Sequence, residues 1–182
     1  MATASVPCRP AAEQAAWAAA ALFGLHLVTY FVPSIRGATL ATGSVVAAPL
    51  AVLAVAQHLV VFPVVAALPA PRWSRAAAYT WLPLDMLTDL AQLVGAPQSL
   101  YLPVRLAVNI LAAAWIASAS WTAPGTVRGI GLFVALDTAA YSCLGLFFPW
   151  AFLIALPSLI LLPVWFGLMA RRLAAHRRTV LP

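Results

Sequence analysis

Long apolar runs, separated by short clusters of proline, glycine and arginine, set the rhythm of this chain. Six of them reach the roughly 20 residues a helix needs to cross a bilayer. They cover about residues 12–32, 43–68, 76–94, 100–120, 127–147 and 149–170. The breaks carry turn residues: Pro33-Ser34, Pro69-Ala70-Pro71, Gly95-Ala96-Pro97 and Pro124-Gly125. Only Phe148-Pro149 divides the last two runs, so five spans with a long bent final helix is the competing count. The pattern predicts an all-α fold, a polytopic bundle of six transmembrane helices in a single domain.

The arginines orient that bundle. With both termini cytoplasmic, the inner side receives Arg9, Arg72, Arg75, Arg128, Arg171, Arg172, Arg177 and Arg178, and the outer side only Arg36. This is the asymmetry of the positive-inside rule. Residues 171–182 then form a basic cytoplasmic tail against the lipid surface. An odd number of spans would put one of the basic ends outside.

Composition agrees. The 182 residues are 64% hydrophobic and 8% charged, against about 25% charged in soluble domains. A net charge of +6 would suggest nucleic acid in a soluble protein, but here it belongs to loops and ends, so no nucleic-acid partner is expected. Cys8 precedes the first span and Cys143 falls in the fifth, which argues against a disulfide between them. The first run lacks the basic flank of a cleaved signal and is read as retained. The chain is placed in a cell membrane as a multi-pass protein.

Polar residues inside the spans carry the chemistry. Asp85, Thr88, Asp89 and Gln92 follow an i, i+3, i+4, i+7 spacing and share one face of the third span. Arg105 and Asn109 form an i, i+4 pair on the fourth. An antiparallel hairpin turning at Pro97 matches Asp89 with Arg105 and Asp85 with Asn109. Asp137, with Tyr141 one turn outward, belongs to the fifth span at the depth of Asp85. His26 lies in the first span, Gln57 and His58 in the second. Each intramembrane charge costs about 2.5–3.5 kcal/mol on insertion scales. The Asp89–Arg105 pair can serve as a helix-to-helix link, and Asp89 stays on the list of candidate catalytic acids beside Asp85 and Asp137. Asp85 and Asp137 are left without an evident cation and become the candidate general acids. No HExxH or CxxC spacing calls for a metal, and neither metal nor cofactor is expected. Trp81 and Trp115 lie deep enough to wall a pocket or to pack.

A short, lysine-free, many-helix chain with Asp85, Asp89 and Asp137 in the membrane resembles the small bacterial integral-membrane terpene cyclases. The likeness covers the layout and the acids. It implies an intramembrane carboxylic acid, Asp137 or Asp85, that protonates a lipophilic isoprenoid or prenylated substrate entering from the bilayer. Trp81, Trp115, Tyr141 and Phe133 would be the cation-facing aromatics, and Arg105, Asn109, Gln92 and His26 the supporting set. Catalysis would be of the cyclase or isomerase type, without a required metal. Two other readings use the same acids. One is a proton-coupled carrier, which at six spans would need a homodimer; the other is a non-catalytic membrane subunit whose charges join helices.

Overall fold

The computed structural model describes residues 9–32 and 47–178, and every regular element among them is helical. In chain order these are α1 (Arg9–Phe31), α2 (Ala47–Leu59), α3 (Val61–Ala67), α4 (Arg72–Leu93), α5 (Gln98–Trp121), α6 (Gly125–Leu144), a 3₁₀ turn at Pro149–Ala151 and α7 (Phe152–Arg178). The expected start of the second span at Gly43, the Pro33-Ser34 turn, Arg36 and Cys8 lie outside the described residues.

Prolines place the breaks. Pro63 cannot donate to the Leu59 carbonyl and crowds it, and the rod parts at Val60, which keeps near-helical angles (φ −70°, ψ −13°). Helices α2 and α3 thus form one loosely jointed rod. Pro69 and Pro71 end it, and α4 starts directly after Pro71. The turn between α4 and α5 closes α4 with two reverse bonds, Ala96 N–H to the Ala91 carbonyl and Gly95 N–H to Gln92. This is the Schellman arrangement, and it needs the left-handed backbone of Gly95 (φ 76°). Pro97 then opens α5. Helices α6 and α7 are separate and pack side by side. The final helix runs beyond residue 170 through Arg171 and Arg172 to Arg178, so this part of the expected tail is helical.

Among the described residues, six rods therefore arise where six apolar runs were read. Each packs on the next, and α7 closes against α1, so the rods form a ring. Four of them, Ala48–Ala67, Gln98–Trp121, Gly125–Leu144 and Leu153–Ala175, are long and apolar enough to cross a membrane. Helix α4 carries Arg72, Arg75, Asp85 and Asp89, and its polar face turns inward. The outward faces are greasy: Val52 is 67% exposed and Leu136 71%. Contiguous apolar surface of this kind suits lipid, not water.

An aromatic circuit fills the ring. Phe23 of α1 meets the His58 ring edge-on and stacks on Phe166; His58 meets Trp81, Trp81 meets Trp115, Trp115 meets Trp165, and Trp165 returns to Phe166. Trp115, Trp165 and Phe166 are fully buried. Helix α6 approaches closely at Gly131, where a Cβ would fall 1.9 Å from Ser120 Oγ.

Candidate functional site

The i, i+3, i+4 face of α4 turns into the ring toward α2 and α5. Asp85 and Thr88 are buried, and the Asp89 side chain keeps only 10% of its exposure. Arg105 reaches across the hairpin from α5 and forms an ion pair with Asp89 Oδ1. Its Nε donates to Thr88 Oγ1 at 2.9 Å and lies 3.4 Å from Asp85 Oδ1. Having accepted from Arg105, Thr88 uses its own hydrogen toward Asp85, sharing it between the carbonyl (2.8 Å) and Oδ1 (3.2 Å).

The second cation-forming group comes from α2. His58 Nε2 stands 2.9 Å from Asp85 Oδ2, and Trp81 Nε1 donates to the same oxygen at 3.3 Å. His58 Nδ1 is 2.6 Å from the Ala54 carbonyl. A carbonyl only accepts, so Nδ1 bears a hydrogen. The contact between Nε2 and the carboxylate then requires another, carried by His58 or by Asp85. A hydrogen is thus held between an imidazole and a carboxyl group in a buried setting. Asp89 Oδ2 is also buried, 3.8 Å from His58 Nδ1, and has no hydrogen-bond partner among the described residues.

Depth follows from the helix rise of 1.5 Å per residue. Asp89 is about 6 Å from the end of α4, and Arg105 about 10 Å from the start of α5. The cluster therefore sits below the Gly95 turn, with Trp81 one helical turn deeper. Its partly open side is at Arg105, whose side chain is 24% exposed and whose guanidinium lies 6.0 Å from the Tyr101 ring.

Of the residues read from sequence, Asp85, Asp89, Arg105 and Trp81 come together. His26 borders them: its Nδ1 is 2.8 Å from Gln57 Oε1, next to His58 in the chain. Trp115 joins through its contact with Trp81. Asn109 is half-buried on α5 and is not a partner of Asp85, whose contacts are His58, Arg105, Thr88 and Trp81. Asp85 thus has the cationic neighbour that the sequence did not offer it. Gln92 is half-buried on α4 and Tyr141 half-buried on α6. Phe133 is 45% exposed on the outer face of α6.

Asp137 makes its described contact elsewhere. Its Oδ2 accepts the Ser158 backbone N–H at 3.0 Å, binding α6 to α7 beside Pro157. His58 was noted in the sequence but not placed in the site. The dipeptide Gln57-His58, in a run otherwise free of polar residues from Val45 to Leu68, is the signal. Thr88, on the acidic stripe itself, is the other.

Comparison with family models, with curated proteins and with solved structures gave no match. The function must be argued from the residues. Among the described residues no group of three or more His, Cys, Asp or Glu side chains is placed to hold a metal ion. What the cluster offers is acid–base chemistry: two carboxyls, an imidazole and a fixed guanidinium within one helical turn, over an aromatic floor.

Proposed function

We propose that this is a six-span integral membrane protein with both termini cytoplasmic, whose His58–Asp85–Asp89–Arg105 cluster transfers protons on a lipophilic, isoprenoid-type substrate in the manner of membrane terpene cyclases. The observation that carries the reading is the contact between His58 Nε2 and Asp85 Oδ2, 2.9 Å apart in a buried setting, which requires a hydrogen between them. The six-span count is supported by six rods in a ring, and the orientation by Arg72, Arg75, Arg128, Arg171 and Arg172, all at the end remote from the cluster.

In this reading the substrate arrives at the Arg105–Tyr101 side. Asp85 gives its hydrogen to an alkene carbon; the alkene electron pair forms the C–H bond and leaves a cation on the neighbouring carbon. A second alkene attacks that cation and closes a ring. Loss of a proton to the cluster restores it, so the product is an isomer of the substrate and no oxidant is consumed. Trp81 donates to Asp85 Oδ2 and so holds that carboxyl in place. Arg105 holds Asp89 in its ion pair, and the Asp85 carboxylate left by the first step takes the proton back. The packed circuit of Trp81, Trp115, Trp165 and Phe166 weighs against a carrier, which needs water on both sides.

A second reading is favoured by the charge balance. Two carboxylates, Arg105 and a doubly protonated His58 sum to zero, as a joint between α2, α4 and α5 would require. Native mass spectrometry of the detergent-purified protein separates the two. The catalytic reading expects a retained or converted isoprenoid that is lost in Asp85→Asn and kept in Asp137→Asn. Folded wild type and variants that neither hold nor convert such a molecule would leave only the joint.

A further inference from the structure

The opposite end of the bundle carries a different feature. Between the Pro69–Pro71 turn and the last turn of α5 lies an apolar cleft of about 460 Å³, lined by Pro69, Ala70, Pro71, Ala117, Trp121 and Thr122, with Ser118 beside them. That volume falls in the range of small-molecule sites, about 300–1,000 Å³. Trp121, on its wall, is 61% exposed.

Two arginines touch its walls. The Arg128 guanidinium lies 4.6 Å from the centre of the Trp121 ring. Arg172, reaching over from α7, donates through Nη2 to the Thr122 carbonyl at 3.3 Å. Its Nη1 is buried and has no hydrogen-bond partner among the described residues. Arg72 directly follows Pro71, and Arg75 is one turn further along α4. The acid at this end among the described residues is Glu13, half-buried on α1. Capping the carbonyl end of α5 accounts for Nη2 of Arg172, and packing on an indole accounts for the position of Arg128. Neither accounts for an apolar cleft whose walls both arginines touch.

We propose that the cleft is the seat of one anionic phospholipid of the cytoplasmic leaflet, with an acyl chain against Pro69, Ala117 and Trp121 and its phosphate between Arg128 and Arg172. A planar guanidinium presents paired N–H groups that match two phosphate oxygens. Excess positive charge at the rim selects against a head group that adds an ammonium. The inference rests on the membrane placement but not on the chemistry of the acid cluster.

The test uses the full chain in neutral detergent, mixed with equimolar phosphatidylglycerol and phosphatidylcholine of matched chains and read by native mass spectrometry. A single phosphatidylglycerol adduct is expected, enriched about tenfold over phosphatidylcholine, the ratio that 1.4 kcal/mol of selectivity gives. Arg128→Gln and Arg172→Gln each lower that ratio several-fold, Arg172→Lys keeps most of it, and Arg171→Gln, one residue away, leaves it unchanged. Trp121→Ala weakens retention of both lipids. Equal retention of the two lipids by wild type overturns the proposal, as does an unchanged ratio in Arg128→Gln. So does displacement of the adduct by glycerol phosphate alone, since the acyl chain would then contribute nothing. The wild-type ratio and Arg128→Gln decide the matter even if Arg172→Gln fails to fold.

Discussion

Replacing Arg105 by methionine keeps most of the side chain's length and removes its charge. Asp89 loses its ion pair, Thr88 loses the donor at 2.9 Å, and two carboxyls remain with His58 as their cationic neighbour. Breaking a buried pair from one side costs about 3–5 kcal/mol. Because the Arg105 side chain is 24% exposed, the lower end applies, about 3 kcal/mol. For a chain of this size each kcal/mol moves the melting midpoint by about 2–4 °C, so Arg105→Met should melt about 6–12 °C below wild type. The buried tryptophans make intrinsic fluorescence a suitable readout in detergent. Removing the partner charge as well, in Arg105→Met/Asp89→Leu, should restore much of the loss, because the orphaned carboxylate and not the missing contact dominates the cost. A coupling of about 2 kcal/mol or more is expected from the double-mutant cycle. Two single losses below about 1 kcal/mol that simply add would refute the claim that the hairpin depends on this pair.

Other substitutions probe the packing. Gly131→Ala would put its Cβ 1.9 Å from Ser120 Oγ, 2.6 Å from Ser120 Cβ and 2.5 Å from Trp165 Nε1. A loss of about 1–3 kcal/mol is expected, partly relieved by Ser120→Gly; a melting point unchanged by Gly131→Ala would contradict the close approach of α6. Trp165→Phe breaks the 2.9 Å bond to Ser120 Oγ, whereas Trp115 Nε1 has no hydrogen-bond partner among the described residues. Trp115→Phe should therefore cost less than Trp165→Phe by about 1 kcal/mol, and the reverse order in thermal melts would count against the assignment. Asp137→Asn keeps an oxygen able to accept the Ser158 N–H, so its melting point should fall much less than that of Arg105→Met; an equal fall would give Asp137 a larger role than a helix link.

The hairpin was legible because its geometry is local. Once Gly95 and Pro97 mark the turn, counting residues along two antiparallel helices brings Asp89 level with Arg105, and the structure pairs them. The inward face of α4 was equally plain, since Asp85, Thr88 and Asp89 share it by spacing alone. Rotation about a helix axis is another matter. Asp137 was matched with Asp85 by depth, but depth does not say which way a side chain points, and the packing of α6 aims it at Ser158. Phe133 faces outward for the same reason. The His58–Asp85 contact joins helices that are not consecutive in the chain. Their relative height depends on where the Pro63 break falls and on how Phe23 and Trp81 pack around the imidazole.

That break has a mechanical consequence. Val61, Val64 and Val65, just past it, are fully buried and clamp the α3 half of the rod. Any tilt of α2 would therefore pivot at Val60. At 1.5 Å per residue, Ala47 lies about 20 Å from the pivot and His58 about 3 Å. A tilt of about 10° would carry the far end of α2 roughly 3.5 Å sideways and the His58 backbone about 0.5 Å. Under such a tilt the imidazole, next to the pivot, would keep its place beside Asp85.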